Sequence, residues 1–219
     1  MLKNEIKIKV LMIGLIIIGL IMMIFLKVYF NSMWEYQQGE GFLVKKDYEN
    51  AVTHYERSIK WYTPLNKYVN KSIDRLWEIG NILQNENNDK LALEAYISLR
   101  GSLYAVRSFY TPHKKWIEMA DGKIADLIVK KEPYSEEDKK KTIEQRRREE
   151  MEVLKIDYAP NPFWAVVLEI GFIGWIGCAI GFIFLAFVNK DEFNNRKAAL
   201  WGGLIITFYA LWILGMVNA

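Results

Sequence analysis

Residues 10–26 are seventeen consecutive positions without a charged or polar side chain. With Lys27 tolerated near its end, the run reaches Phe30 and spans about 30 Å as a helix, the thickness of a bilayer's hydrocarbon core. Two further runs, residues 163–188 and 198–217, are as long. The chain is therefore expected to be an all-α integral membrane protein. It has an N-terminal tail (1–9) and three transmembrane helices at 10–30, 163–188 and 198–217. The first run is too long for a signal-peptide core, and Asn31-Ser32-Met33-Trp34 is a poor cleavage site, which predicts an uncleaved anchor. Trp34, Trp164 and Trp201 stand near span ends, as interfacial aromatics do. The short turn between the last two spans makes them an antiparallel hairpin.

Charge fixes an expected orientation. Lys3, Lys7 and Lys9 precede the first span, and Lys190, Arg196 and Lys197 lie between the second and third. The positive-inside rule puts both groups in the cytoplasm and the intervening domain on the outer, periplasmic side. Arg146, Arg147, Arg148 and Lys155 oppose this from the domain side, but long domains weigh less. Lysine, asparagine and isoleucine are abundant, which points to a low-GC bacterial source and an inner membrane. The net charge of +3 is no nucleic-acid footprint, because residues 31–161 hold 22 Lys/Arg against 22 Asp/Glu. The lone cysteine, Cys178, lies within a span, so no disulfide framework can form within one chain.

The soluble part repeats internally. Gly39, Ala51 and Tyr55 recur 41 residues on as Gly80, Ala92 and Tyr96. Tyr62-Thr63-Pro64 recurs 48 residues on as Tyr110-Thr111-Pro112, and Lys67-Tyr68-Val69 is answered by Lys115-Trp116-Ile117. The offsets differ by seven residues, about two helical turns, which predicts a second B helix (residues 90–109) two turns longer than the first. The third copy is an A helix alone, at about residues 113–130, and serves as a cap. A glycine late in one helix, a small residue early in the next and an aromatic one turn on resemble the tetratricopeptide repeat (TPR) over residues 34–131, although this repeat is longer than the usual run of about 34 residues. The resemblance implies helical hairpins that present a concave surface to peptides or protein domains. It marks Gly39, Ala51, Tyr55, Pro64, Gly80, Ala92, Tyr96 and Pro112 as structural.

Residues 135–157 read as one charged connector helix. Ser135 is its cap, Glu136, Glu137 and Asp138 its first turn, and Ile143, Met151, Leu154 and Ile156 a sparse apolar stripe. Pro160 and Pro162 end it. Such a helix is a solvated connector packed on the repeats or a partner-binding arm.

Few residues invite chemistry. Glu169 lies about 9 Å into the second span, where an ionisable group is a functional candidate by default. Lys27, at the end of the first span on the same side, is its expected charge partner. Gly171, Gly174, Gly177, Cys178 and Gly181 make a small-residue face for close helix packing, with Gly202 and Gly203 available on the third span. Arg100, Tyr104, Arg107 and Tyr110, three or four apart, form a face that can grip an acidic segment or pack between repeats. His54 and His113 stand apart, and no P-loop, GxGxxG or GxSxG motif occurs. No catalytic residue, metal, cofactor, small-molecule substrate or nucleic acid is expected. The sequence points to a non-enzymatic, membrane-anchored protein-binding scaffold or assembly factor. An accessory subunit of a membrane transport or energy-transducing complex is the alternative, with Glu169 in an ion- or proton-linked role.

Overall fold

The computed structural model describes residues 2–108, 110–133, 135–156, 161–189 and 192–219. Phe109, Asp157, Pro160 and Lys190, which enter the expectations above, lie outside these residues. The chain is helical and divides into two compact units, Met1–Ile156 and Asp157–Ala219. Among the described residues, three helices are long and apolar enough to cross a membrane.

The first unit opens with α1 (Leu2–Val44), a single helix about 65 Å long at 1.5 Å per residue. The anchor and the first helix of the soluble array, read as separate elements in the sequence, are thus one rod. Nothing at Asn31-Ser32-Met33 interrupts the helical hydrogen bonds, and Gly39 and Gly41 are tolerated within it. Four helices follow: α2 (Tyr48–Lys60), α3 (Lys67–Asn85), α4 (Asp89–Ala105) and α5 (Lys114–Ile128). Each packs on its neighbours in sequence, and α2 also packs on α4.

The turns repeat as faithfully as the helices. Among the described residues, four non-glycine positions have positive φ: Lys46 (59°), Leu65 (65°), Asn87 (60°) and His113 (55°). Lys46 and Asn87 are 41 apart, and Leu65 and His113 are 48 apart. At the first pair the helix ends in a Schellman motif. Asp47 N donates to Phe42 O and Lys46 N to Leu43 O, just as Asn88 N donates to Leu83 O and Asn87 N to Gln84 O. The next residue then caps the following helix: Asp47 accepts from Asn50 N, and Asn88 from Leu91 N. One residue thus closes one helix with its backbone N–H and opens the next with its side chain.

Helix α4 is four residues longer than α2, one turn and not two. The other three residues of the seven-residue insertion extend the loop before Tyr110. The core lies between the paired helices and holds Tyr55, Ile59, Ile73, Leu76, Ile79, Tyr96, Leu99, Leu103, Ile117 and Leu127, each essentially fully buried. Removing such a side chain from water contributes about 1.5–3 kcal/mol.

The connector is broken, contrary to the single helix expected. Ser135 caps only a short α6 (Glu136–Lys139), its Oγ accepting from Asp138 N. Thr142 then starts α7 (Ile143–Lys155) with a full capping box: its side chain accepts from Gln145 N, and the Gln145 side chain accepts from Thr142 N. Thr-x-x-Gln within the run is the signal for this second start. Arg147 bonds Asp126, Arg146 bonds the carbonyls of Val129 and Lys131, and Leu154 packs against the core, so α7 lies on the array. Ile143 and Ile156 of the expected stripe are exposed.

The second unit is an antiparallel hairpin of α8 (Pro162–Ala186) and α9 (Asn195–Asn218). Two short strands, β1 (Phe187–Asn189) and β2 (Glu192–Phe193), pair in its turn. Asn194 caps α9 through Lys197 N, and Asn161 N donates to Ala219 O at the open end.

Candidate partner-binding surface and intramembrane residues

The repeat positions each occupy one recurring contact. An added Cβ at Gly39 would fall 2.7 Å from the Tyr55 ring, and one at Gly80 would fall 2.6 Å from Tyr96. Ala51 and Ala92 are fully buried one turn before those tyrosines. Each tyrosine belongs to an aromatic trio centred on a third ring: Tyr36 meets Tyr55 and Tyr68 at 5.8 and 5.7 Å between ring centroids, and Trp77 meets Tyr96 and Trp116 at 5.3 and 5.6 Å. These are the same positions under offsets of 41 and 48.

A polar clamp recurs with them. The Tyr55 hydroxyl donates to Glu40, whose carboxylate also accepts from Arg75 Nε and Nη2 at 2.8 and 3.0 Å. In the second copy Tyr96 donates to Asn81 Oδ1 at 2.9 Å, and Lys123 Nζ reaches Gln84 Oε1 at 2.8 Å. Asn81 is the counterpart of Glu40 and Lys123 that of Arg75, so the first clamp is ionic and the second lacks its acid. Burial opposes the Glu40 charge, but the bonds from Arg75 and Tyr55 outweigh it and hold the carboxyl below its ordinary value. Burial, then the bond to Glu40, pushes the Tyr55 phenol far up. Burial alone pushes Tyr96 to about 12.

A surface groove of about 310 Å³ lies between α2 and α4. Tyr48, Val52, Leu83, Leu91 and Ile97 supply its apolar lining, and Glu49 and Glu94 its acidic rim. Of the two roles expected for the face at Arg100, Tyr104, Arg107 and Tyr110, the contacts are those of packing within the array. Arg100 bonds Asp121, donates to Leu154 O at 2.8 Å and lies over the Tyr104 ring, tying α4 to α5 and α7. Arg107 covers the same ring. The Tyr110 hydroxyl meets that of Tyr62, its counterpart 48 residues earlier, at 2.9 Å. Pro64 is exposed, and Pro112 is buried.

Two contacts near the end of the first span had no sequence signal beyond residue type. Ser32 and Ser58 exchange hydroxyl-to-carbonyl bonds at 3.0 and 2.8 Å, both side chains fully buried. Glu35, also buried, meets His54 Nδ1 at 2.7 Å, with Phe42 stacked on the imidazole.

In the hairpin, Glu169 is exposed on α8 and has no ionic partner among the described residues of its own unit. Lys27 is likewise exposed on α1, with no ionic partner among the described residues of the first unit. Gly171, Gly174 and Gly181 face the α9 backbone or its Phe208 and Trp201 rings, so that a Cβ would collide, whereas Gly177 faces open space. On α9 the close approach is made by Gly215, where a Cβ would fall 2.5 Å from Leu168 Cα, and not by Gly202 or Gly203, both open. Gly215 was legible only as a small residue opposite Gly171 in an antiparallel pair. Phe172, Trp175, Tyr209 and Trp212 cluster on one side of the hairpin.

Comparison with known proteins found no matching family model, no similar curated protein and no similar solved structure.

Proposed function

We propose that this protein is a membrane-anchored scaffold that binds another protein through a TPR-like helical array. One observation carries the reading: a repeated, internally clamped array is fused without a break to a membrane-crossing helix and offers an apolar groove between α2 and α4. Rigidity of this kind suits presentation of a fixed surface more than closure around a substrate. A groove lined by Tyr48, Val52, Leu91 and Ile97 has room for one or two apolar side chains of a partner segment. Affinity capture of the full-length protein from its native membrane in mild detergent, repeated with Ile97→Asp, tests it. The expected result is a co-purifying protein that the variant loses while remaining folded. Equal recovery with both forms removes the groove from the proposal.

Glu169 favours a second reading, an accessory subunit of a membrane transport or energy-transducing complex. A carboxyl exposed on an apolar helix seeks a partner outside its own hairpin. Glu169→Gln should then abolish the function of the complex while leaving its assembly intact. A scaffold should keep its binding.

A further inference from the structure

The two ends of the array differ in chemistry. The turns at one end, Lys45-Lys46-Asp47 and Glu86-Asn87-Asn88, are wholly polar. The turn at the other end is Trp61-Tyr62-Thr63-Pro64-Leu65, with Tyr110-Thr111-Pro112-His113 beside it through the Tyr62–Tyr110 and Tyr62–His113 contacts. This second end lies level with the close of the apolar run of α1. Helix α2 runs back along α1, and the Ser32–Ser58 bonds bring its last turn level with the close of the first span. The Tyr29–Tyr68 contact, 5.6 Å between rings, brings the start of α3 to the same level. Ser32 lies two residues, about 3 Å, beyond Phe30.

The loop is built for display and not for folding. Leu65 is 100% exposed and has φ of 65°, so it combines the hydration cost of a free apolar side chain with a left-handed backbone that leucine adopts only under strain. Glycine or asparagine would serve the turn better. Pro64 precedes it, and the buried Asn66 pins the other side, accepting from Tyr68 N at 3.0 Å. Trp61, 37% exposed, stands in the same loop, and Trp34 and Phe30 are exposed on α1 at that level. Lysines surround it. Lys67 opens α3, and Lys114 and Lys115 open α5, with no acid in either first turn, although a helix start favours acids. Helices α2 and α4, which start at the polar end, carry Glu49 and Asp89 there.

We propose that the 61–66 loop is a membrane-interface wedge: Trp61 and Leu65 enter the headgroup region, and Lys67, Lys114 and Lys115 contact anionic headgroups. Tryptophan favours that interface, and each lysine near an anionic surface adds to the attraction. The wedge holds the array against the bilayer beside its own span. It rests on α1 crossing the membrane.

The test uses the full-length protein with Cys178→Ser, carrying a single spin-labelled cysteine at Leu65→Cys, Val44→Cys or Ile17→Cys, in vesicles of phosphatidylcholine and phosphatidylglycerol. Collision with oxygen and with a water-soluble nickel chelate reports the surroundings of each label. The expected result is a label at 65 several-fold more protected from the chelate than the one at 44, at the polar end, with the label at 17 fully in lipid. A label at 65 as open to the chelate as the label at 44 overturns the wedge. So does protection at 65 that appears in native membranes but not in lipid vesicles, since a protein then covers the loop. A label at 17 open to the chelate overturns the span itself, a separate failure.

Discussion

Replacing Gly80 by alanine tests whether the recurring glycine–tyrosine contact sets the spacing of the paired helices. Two effects compete. Alanine is favoured over glycine in a helix interior by about 1 kcal/mol. Against this, the new Cβ would fall 2.6 Å from the Tyr96 ring, which is fully buried and held by Trp77, Asn81 and Gln84. Overpacking of a core typically costs about 1–3 kcal/mol, and a ring fixed on three sides has nowhere to go. The expected net loss is up to about 2 kcal/mol. Gly39→Ala should lose a similar amount, because its Cβ would lie 2.7 Å from the equally clamped Tyr55. Gly101→Ala is the matched control: it lies within α4 with nothing within 4 Å of the added atom, and should gain up to about 1 kcal/mol. Urea titration of the full-length protein in mild detergent, followed by far-UV circular dichroism, measures all three. The contrast between positions 80 and 101 should be about 1–3 kcal/mol, the overpacking cost alone. A Gly80→Ala protein as stable as Gly101→Ala would refute the contact as the determinant of helix spacing.

Other substitutions probe the caps and clamps. Lys46→Gly should stabilise by a few tenths up to about 1 kcal/mol in the same titration, since glycine takes the left-handed position without steric cost, and Asn87→Gly should gain less because asparagine already tolerates it. The bonds that hold the Glu40 carboxyl below its ordinary 4.5 give stability that is fully present above that value and fades as pH falls through the lower folded value; thermal melts from neutral to acid pH should show wild type losing more than Glu40→Gln. Thr142→Ala removes the capping box of α7 and should cost about 1 kcal/mol locally, read as faster amide exchange in residues 143–147 with exchange in α3 unchanged.

The repeat was legible in the sequence where a contact tolerates one residue type only. Gly39 and Gly80 must lack a side chain, and Tyr55 and Tyr96 must fill the gap, so both copies kept them and the offset of 41 stood out. The clamp was hidden for the opposite reason. Glu40 and Asn81 both accept a tyrosine hydroxyl bond, and Arg75 and Lys123 both supply a cation, so identity was lost while geometry persisted. The role of Arg100 stayed open between two readings because helical spacing tells which residues share a face and not whether that face is covered, and α5 and α7 cover this one. The unbroken α1 was missed because a change of solvent from lipid to water alters side-chain polarity without altering the backbone, and the residues after Phe30 contain no breaker. Gly202 and Gly203 drew attention as a pair, but the depth at which two antiparallel helices touch depends on their crossing, which places Gly215 against Leu168.

An unbroken α1 also makes the anchor a shaft, with phase and height coupled. Each residue added between Phe30 and Ser32 would turn the array by about 100° around the span and raise it by about 1.5 Å. Seven residues would restore the azimuth to within about 20° yet lift the array by about 10 Å. The length of that short stretch therefore sets both the bearing of the α2/α4 groove and its distance from the lipid, so any partner must meet it at one height and from one direction.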